Sequence, residues 1–143
     1  MASHFTIING PNLNLLGSRQ KEIYGEISFE QYLEALQQQF NESVINYEQH
    51  NEEGALINAL HKAQDHASGI VLNAGAFTHT SLAIADAVAG IKPPVIEMHI
   101  SNIWQRERYR HHSYLSPVAA GVIAGLGLDG YRLALLHLQH LQS

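Results

Sequence analysis

The 143-residue chain contains no cysteine. Disulfides, thiolate nucleophiles, iron–sulfur clusters and cysteine-held zinc are therefore excluded together. Positive charge is also scarce, with 8 Lys and Arg against 13 Asp and Glu and a formal net charge of −5. Such a balance gives no general attraction to nucleic acid or to an anionic membrane. No apolar run reaches membrane-spanning length, and no basic-then-apolar leader pattern opens the sequence. Neither nucleic acid nor membrane is an expected partner, and the cytoplasm is the expected location. Repeats, low-complexity tracts and linkers are missing too, so residues 1–143 are expected to form a single catalytic domain.

What is present begins with 45% apolar residues, enough for a sizeable core. Arg106, Arg108 and Arg110 crowd together beside His111 and His112. In an acidic chain this local cationic patch suggests a small anionic ligand.

Short β-branched runs alternate with helical spacings. His4 to Asn9 reads as a buried strand stopped by Gly10-Pro11, and residues 10 to 27 as a long loop of the kind that carries function. Ser28 and Gln31 form a capping box for a helix bearing Phe29, Leu33, Leu36 and Phe40. Strands are predicted over 43–48, 70–73, 95–100 and 118–124. Helices are predicted around Leu56 to Ala63, after Thr80-Ser81 up to Gly90, and over Tyr131 to Leu141. This alternation implies an α/β fold, a flavodoxin-like doubly wound five-stranded parallel sheet with helices on both faces. Ligands of such sheets bind beyond the carboxyl ends of the strands. Asn9 to Tyr24, Asn73 to His79 and His99 to Arg110 are thereby gathered on one edge.

Several groups there suggest chemistry. Glu97 and His99 point to one face of a strand, so the carboxylate can orient the imidazole and raise its pKa, as a general acid requires. A satisfied polar pair at a strand end is the alternative. Tyr24 lies five positions after Arg19, and a nearby guanidinium favours a phenolate able to act as a base. A loop tyrosine covering the core is the alternative. Asn73 to Ser81 offers backbone donors and small residues suited to an oxygen-rich ligand, although ordinary helix capping explains part of it. Gly125 to Gly130 matches G-x-G-x-x-G but follows the last strand, so it reads as a tight turn with close helix packing, not as a dinucleotide site. Ten histidines invite a metal, yet no H-E-x-x-H or similar spacing occurs, and none is expected.

Taken together, these segments resemble type II 3-dehydroquinate dehydratases. The resemblance rests on Ile8 to Gly17, Arg19, Tyr24-Gly25, Asn73 with Gly75, Thr78 to Ser81, Glu97 to Asn102, Tyr109 to Ser116, and the run from Gly121 to Gly130 with the final helix. It implies a hydro-lyase of the shikimate or quinate pathway that removes water from 3-dehydroquinate by trans elimination through an enolate, with no cofactor and no metal. By position, Tyr24 would remove the C2 proton and Arg19 would favour its phenolate. Asn12 would help stabilise the enolate, and His99, oriented by Glu97, would protonate the leaving hydroxyl. Asn73, His79 and Arg110 would hold substrate hydroxyls and carbonyl. Ile100 and Ser101 would hold the carboxylate, and Asp86 would reach a neighbouring subunit's site. The resemblance also implies trimers assembled into a dodecamer, in keeping with a final helix that is apolar on more than one face.

The chain departs from the family pattern at Gln20-Lys21, where Glu-Pro is common, and at Phe77 and Trp104. A receiver-like signalling module would need an acidic pair after the first strand and an Asp ending the third. Asn9 and Asn73 stand there instead. A flavin electron carrier on the same fold would be yellow when purified.

Overall fold

The computed structural model describes residues 2–16 and 28–143. Strands β1 (His4–Asn9), β2 (Val44–Gln49), β3 (Gly69–Asn73), β4 (Val95–His99) and β5 (Gly121–Ala124) form one sheet. Its order is β2-β1-β3-β4-β5, and every pairing is parallel. This is the flavodoxin-like order, with its topological switch between β1 and β3. Helices α1 (Phe29–Gln39) and α4 (Asp129–Leu141) cover one face; α2 (Glu53–Ala63) and α3 (Leu82–Gly90) cover the other.

β1, β3 and β4 are buried on both faces, so β1 and β3 are mainly apolar rather than alternating, and in β4 the apolar run is broken only by the buried Glu97 and His99. Phe5, Ile7, Val71 and Met98 pack with Phe29, Leu36, Tyr131, Leu135 and Leu138 on one side. Ile8, Ile70 and Leu72 pack with Leu56, Leu60, Ile84 and Val88 on the other. Each fully buried side chain of this size contributes about 1.5–3 kcal/mol.

The capping box holds as read: Ser28 Oγ accepts from Gln31 N, and Gln31 Oε1 accepts from Ser28 N. Ser81 caps α3 by accepting from Ile84 N at 2.9 Å. The glycine run behaves as a turn, with Gly125 at φ +87° and Gly127 at φ +65°. A side chain at Gly130 would collide with Met98, so the helix packs closely on the sheet there.

The strand limits shift in places. β5 starts at Gly121, not at 118, because Val118 N and Ala119 N both turn back to Leu115 O. β4 ends at His99, since Ile100 O is taken by Gly127 N from the glycine turn. The segment after β3, expected as a loop, winds into a 3-10 turn over Gly75–His79. On α4, Tyr131, Ala134, Leu135 and Leu138 are buried, while Leu136 and Leu141 stay exposed. The expectation that Leu133, Leu135, Leu136 and Leu138 cannot all meet one sheet agrees with this, since Leu135 and Leu138 are buried, Leu133 is half-buried and Leu136 is exposed.

Candidate active site

At the carboxyl edge of the sheet lies a cavity of about 280 Å³. Asn12, Asn73, His79, His99, Ile100, Ser101 and Arg110 all line it, drawn from three segments distant in sequence. Their convergence follows from parallel strands, which end on the same side with the chain leaving each strand at the same edge.

Among the described residues, His99 with its carboxylate has the greatest chemical potential here. Its Nε2 lies 2.5 Å from Glu97 Oε2, with both side chains buried at the end of β4. Ser113 Oγ donates to the same oxygen at 2.9 Å, and Ser116 Oγ donates to Oε1 at 2.6 Å. Burial pushes the Glu97 carboxyl upward, but the hydrogen bonds from His99, Ser116 and Ser113 outweigh it and hold the group below its ordinary value. Glu97 is thus a buried carboxylate surrounded by donors, so His99 Nε2 donates to it. Nδ1 is left as the imidazole nitrogen able to exchange a proton with a ligand.

His79 stacks beside His99, with ring centroids 6.2 Å apart and planes 18° from parallel. Its Nδ1 is 2.7 Å from the His112 carbonyl, which can only accept, so Nδ1 carries the proton. Burial pushes its pKa down, with His99 and Arg110 adding to the effect, while the His112 carbonyl opposes it. His79 therefore presents a neutral ring to the cavity.

Asn12 stands at φ +70° in the turn after β1, its backbone N–H bonded to Asn51 Oδ1 at 3.0 Å. Arg110 Nε meets Glu107 Oε2 at 2.5 Å. That pair is open to solvent and weakly held, so the guanidinium remains available to an anion. Arg106 lines the cavity as well.

The remaining expected residues stand elsewhere. Glu97 lies behind His99 and outside the cavity lining. Asp86 is exposed on α3 and does not line this chain's cavity. Tyr24 and Arg19, like the Gln20-Lys21 departure, fall outside the described residues. Phe77 packs into the α2–α3 side of the core, and Trp104 stays exposed with its ring 5.2 Å from that of His111.

Sequence reasoning gave no role to Ser113, Ser116, Glu107 or Tyr131. The serines were visible within the resembling Tyr109 to Ser116 stretch, but nothing in their spacing shows that they turn onto Glu97. In the sequence Tyr131 stands only as the first residue of the final helix. Its hydroxyl in fact donates to Asn9 Oδ1 at 2.7 Å and accepts from Asn73 Nδ2 at 3.0 Å.

An oriented imidazole, a second neutral imidazole, amides and a guanidinium at the switch of a doubly wound sheet define an α/β enzyme built for acid–base chemistry on an oxygen-rich anion. The chain belongs to the class II dehydroquinase family, whose model matches residues 3–139. It is 53% identical over 144 residues to a 3-dehydroquinate dehydratase 2 of Agrobacterium fabrum, covering 99% of this chain and 97% of that one. The type II dehydroquinase of Propionibacterium acnes superposes with a TM-score of 0.92 at 39% identity, covering 98% of each chain. That of Butyrivibrio crossotus gives 0.89 at 42% identity, over 96% of this chain and 98% of that one.

Proposed function

We propose that the chain converts 3-dehydroquinate to 3-dehydroshikimate by trans elimination of water, as a single catalytic domain without cofactor or metal. The observation that carries this reading is the hydrogen-bonded His99–Glu97 pair at the wall of a cavity whose lining can grip hydroxyls and a carboxylate.

Hydroxide is a poor leaving group and needs a proton as its bond breaks. His99 supplies it, and the fixed Glu97 carboxylate stabilises the imidazolium that precedes donation. The C2 proton, acidified by the adjacent ketone, goes to Tyr24, whose phenolate Arg19 favours. Asn12 stabilises the enolate oxygen that results. Asn73, His79 and Arg110 hold hydroxyls and carbonyl, and Ile100 and Ser101 take the carboxylate. Asp86 faces outward on α3 and serves a neighbouring subunit's cavity in a dodecamer built from trimers. The enzyme works in the cytoplasm, in a shikimate or quinate route.

The test is direct. Addition of 3-dehydroquinate to the purified, chelator-dialysed protein should produce the ultraviolet absorbance of a conjugated enone. Absence of that signal at any enzyme concentration contradicts the reading. A signal that disappears on dialysis and returns with one divalent ion contradicts the metal-free mechanism.

A further inference from the structure

Asn9 and Asn73 are register partners at the ends of β1 and β3, on either side of the topological switch. Both are buried, and the fully buried Tyr131 reaches between them from the first turn of α4. The direction of each hydrogen bond in this cluster follows from one backbone group. Gly75 N lies 3.2 Å from Asn73 Oδ1. A backbone N–H can only donate, so that amide atom is oxygen and the amide nitrogen faces Tyr131. The phenol oxygen must then accept from Asn73 and spend its one proton on Asn9 Oδ1. Asn73 Nδ2 has two hydrogens, and one goes to the phenol. Asn73 lines the cavity and has no further side-chain partner among the described residues, so the second hydrogen is free for a ligand oxygen. At its other end the turn requires glycine, because Gly75 sits at φ +59° beside the Pro11 carbonyl, a conformation that L side chains rarely adopt.

We propose that Tyr131 is a positioning residue for the dehydration, locking the Asn73 amide so that it presents a hydrogen-bond donor, and not an acceptor, to a substrate oxygen. The inference rests on Asn73 contacting substrate. Without the phenol oxygen the amide loses the partner that holds its nitrogen end, and its tilt and rotamer relax. A group that holds substrate equally in the ground and transition states acts on KM more than on kcat. Burial pushes the Tyr131 hydroxyl far above its ordinary value, with Tyr47 and Tyr32 adding to this and the two asparagines opposing it, so the phenol stays neutral throughout the working pH range.

The experiment is a double-mutant cycle on the full chain, with steady-state kinetics on 3-dehydroquinate for wild type, Tyr131→Phe, Asn73→Ala and the double variant. Tyr131→Phe should raise KM about fivefold or more, the scale of one hydrogen bond, with kcat little changed and the ratio constant across pH. In the Asn73→Ala background the same change should leave KM unmoved. A Tyr131→Phe protein with a lower melting temperature but wild-type KM overturns the proposal, as does a KM increase that persists in the Asn73→Ala background. If Asn73→Ala itself leaves KM unaltered, the reading of Asn73 as a substrate ligand fails, and the inference falls with it. Should Tyr131→Phe not fold, Asn9→Ala serves in the same cycle. It removes the acceptor of the phenol proton, freeing the hydroxyl to turn toward Asn73, and the same coupled rise in KM is expected. An uncoupled rise, or none, overturns the proposal.

Discussion

Two polar clusters support the cavity from within the protein. Beneath His99 the cluster is built on a charge, with the Glu97 carboxylate taking hydrogen bonds from His99, Ser113 and Ser116. Beneath Asn73 the cluster is neutral, the Tyr131 phenol between two amides, with Asn9 Nδ2 donating onward to the Tyr47 hydroxyl at 3.4 Å, so that donors and acceptors pair in one direction. Burying a carboxylate is costly unless donors converge on it, and here three do so. A neutral network carries no such cost but responds less to a change of charge nearby. The charged cluster suits a residue that must gain and lose a proton. The neutral one suits a residue that must hold an oxygen in a fixed place.

Breaking the charged cluster should give the largest effect. Glu97→Gln replaces an acceptor-only group with an amide that cannot accept from all three donors. A kcat loss of about 100-fold or more is expected, within the usual range of general acid–base catalysis. Thermal denaturation should show a stability loss of about 1–3 kcal/mol from the unsatisfied donors. A Glu97→Gln enzyme with near-normal kcat would show that the pair is only structural.

Ser116→Ala sharpens the comparison by weakening the charge without removing it. One hydrogen bond to a carboxylate contributes about 1.5–3 kcal/mol to stability, and only the part that strengthens as His99 passes its proton acts on kcat, so a loss of about tenfold, smaller than that of Glu97→Gln, is expected. The Glu97 carboxyl should also move back toward its ordinary value. The acid limb of the kcat/KM profile should then shift to higher pH. A uniform loss at every pH would assign the hydroxyl to loop structure alone.

The smallest effect separates the two clusters by their pH response. Glu97 and His79 are both held below their ordinary values, 4.5 and 6.5. For each group the unfolded chain binds protons more readily than the folded one, so their contributions are present above those values and lost as pH falls through the lower folded ones. Stability should therefore decline below about pH 6.5 and again below about pH 4.5. The second decline should be shallower in the Glu97→Gln protein, with Glu48, Glu107 and Asp129, also held below their ordinary values, keeping part of it, while Tyr131→Phe should lower stability by the same amount at both ends. Denaturant melts at several pH values read this directly, and a pH-dependent Tyr131→Phe penalty would contradict a neutral cluster.

The uneven legibility of these clusters has a physical origin. The fold is readable because β1 and β3 are mainly apolar β-branched runs and because Ser28 and Gln31 mark a helix start. The His99–Glu97 pair was readable because strand periodicity alone places both on one face. Ser113 and Ser116 were not, since their contact with Glu97 depends on how a stretch without regular periodicity turns back over β4. Tyr131 was hidden for a different reason. An aromatic at the start of an apolar helix looks like core packing, and only the sheet register reveals that its hydroxyl arrives between two asparagines from strands over fifty residues apart in sequence. The limits of β5 were missed because the small apolar residues before Gly121 have no clear period, and a turn onto Leu115 uses them instead.

In the proposed mechanism the charged cluster serves departure of the hydroxyl group through His99, while proton removal at C2 belongs to a different residue. The most direct measurement compares C2-proton exchange in heavy water with product formation in the His99→Ala enzyme. Exchange should persist while formation of 3-dehydroshikimate falls by about 100- to 10,000-fold. Equal loss of exchange and product formation would contradict it, placing His99 before the elimination step or in the scaffold alone.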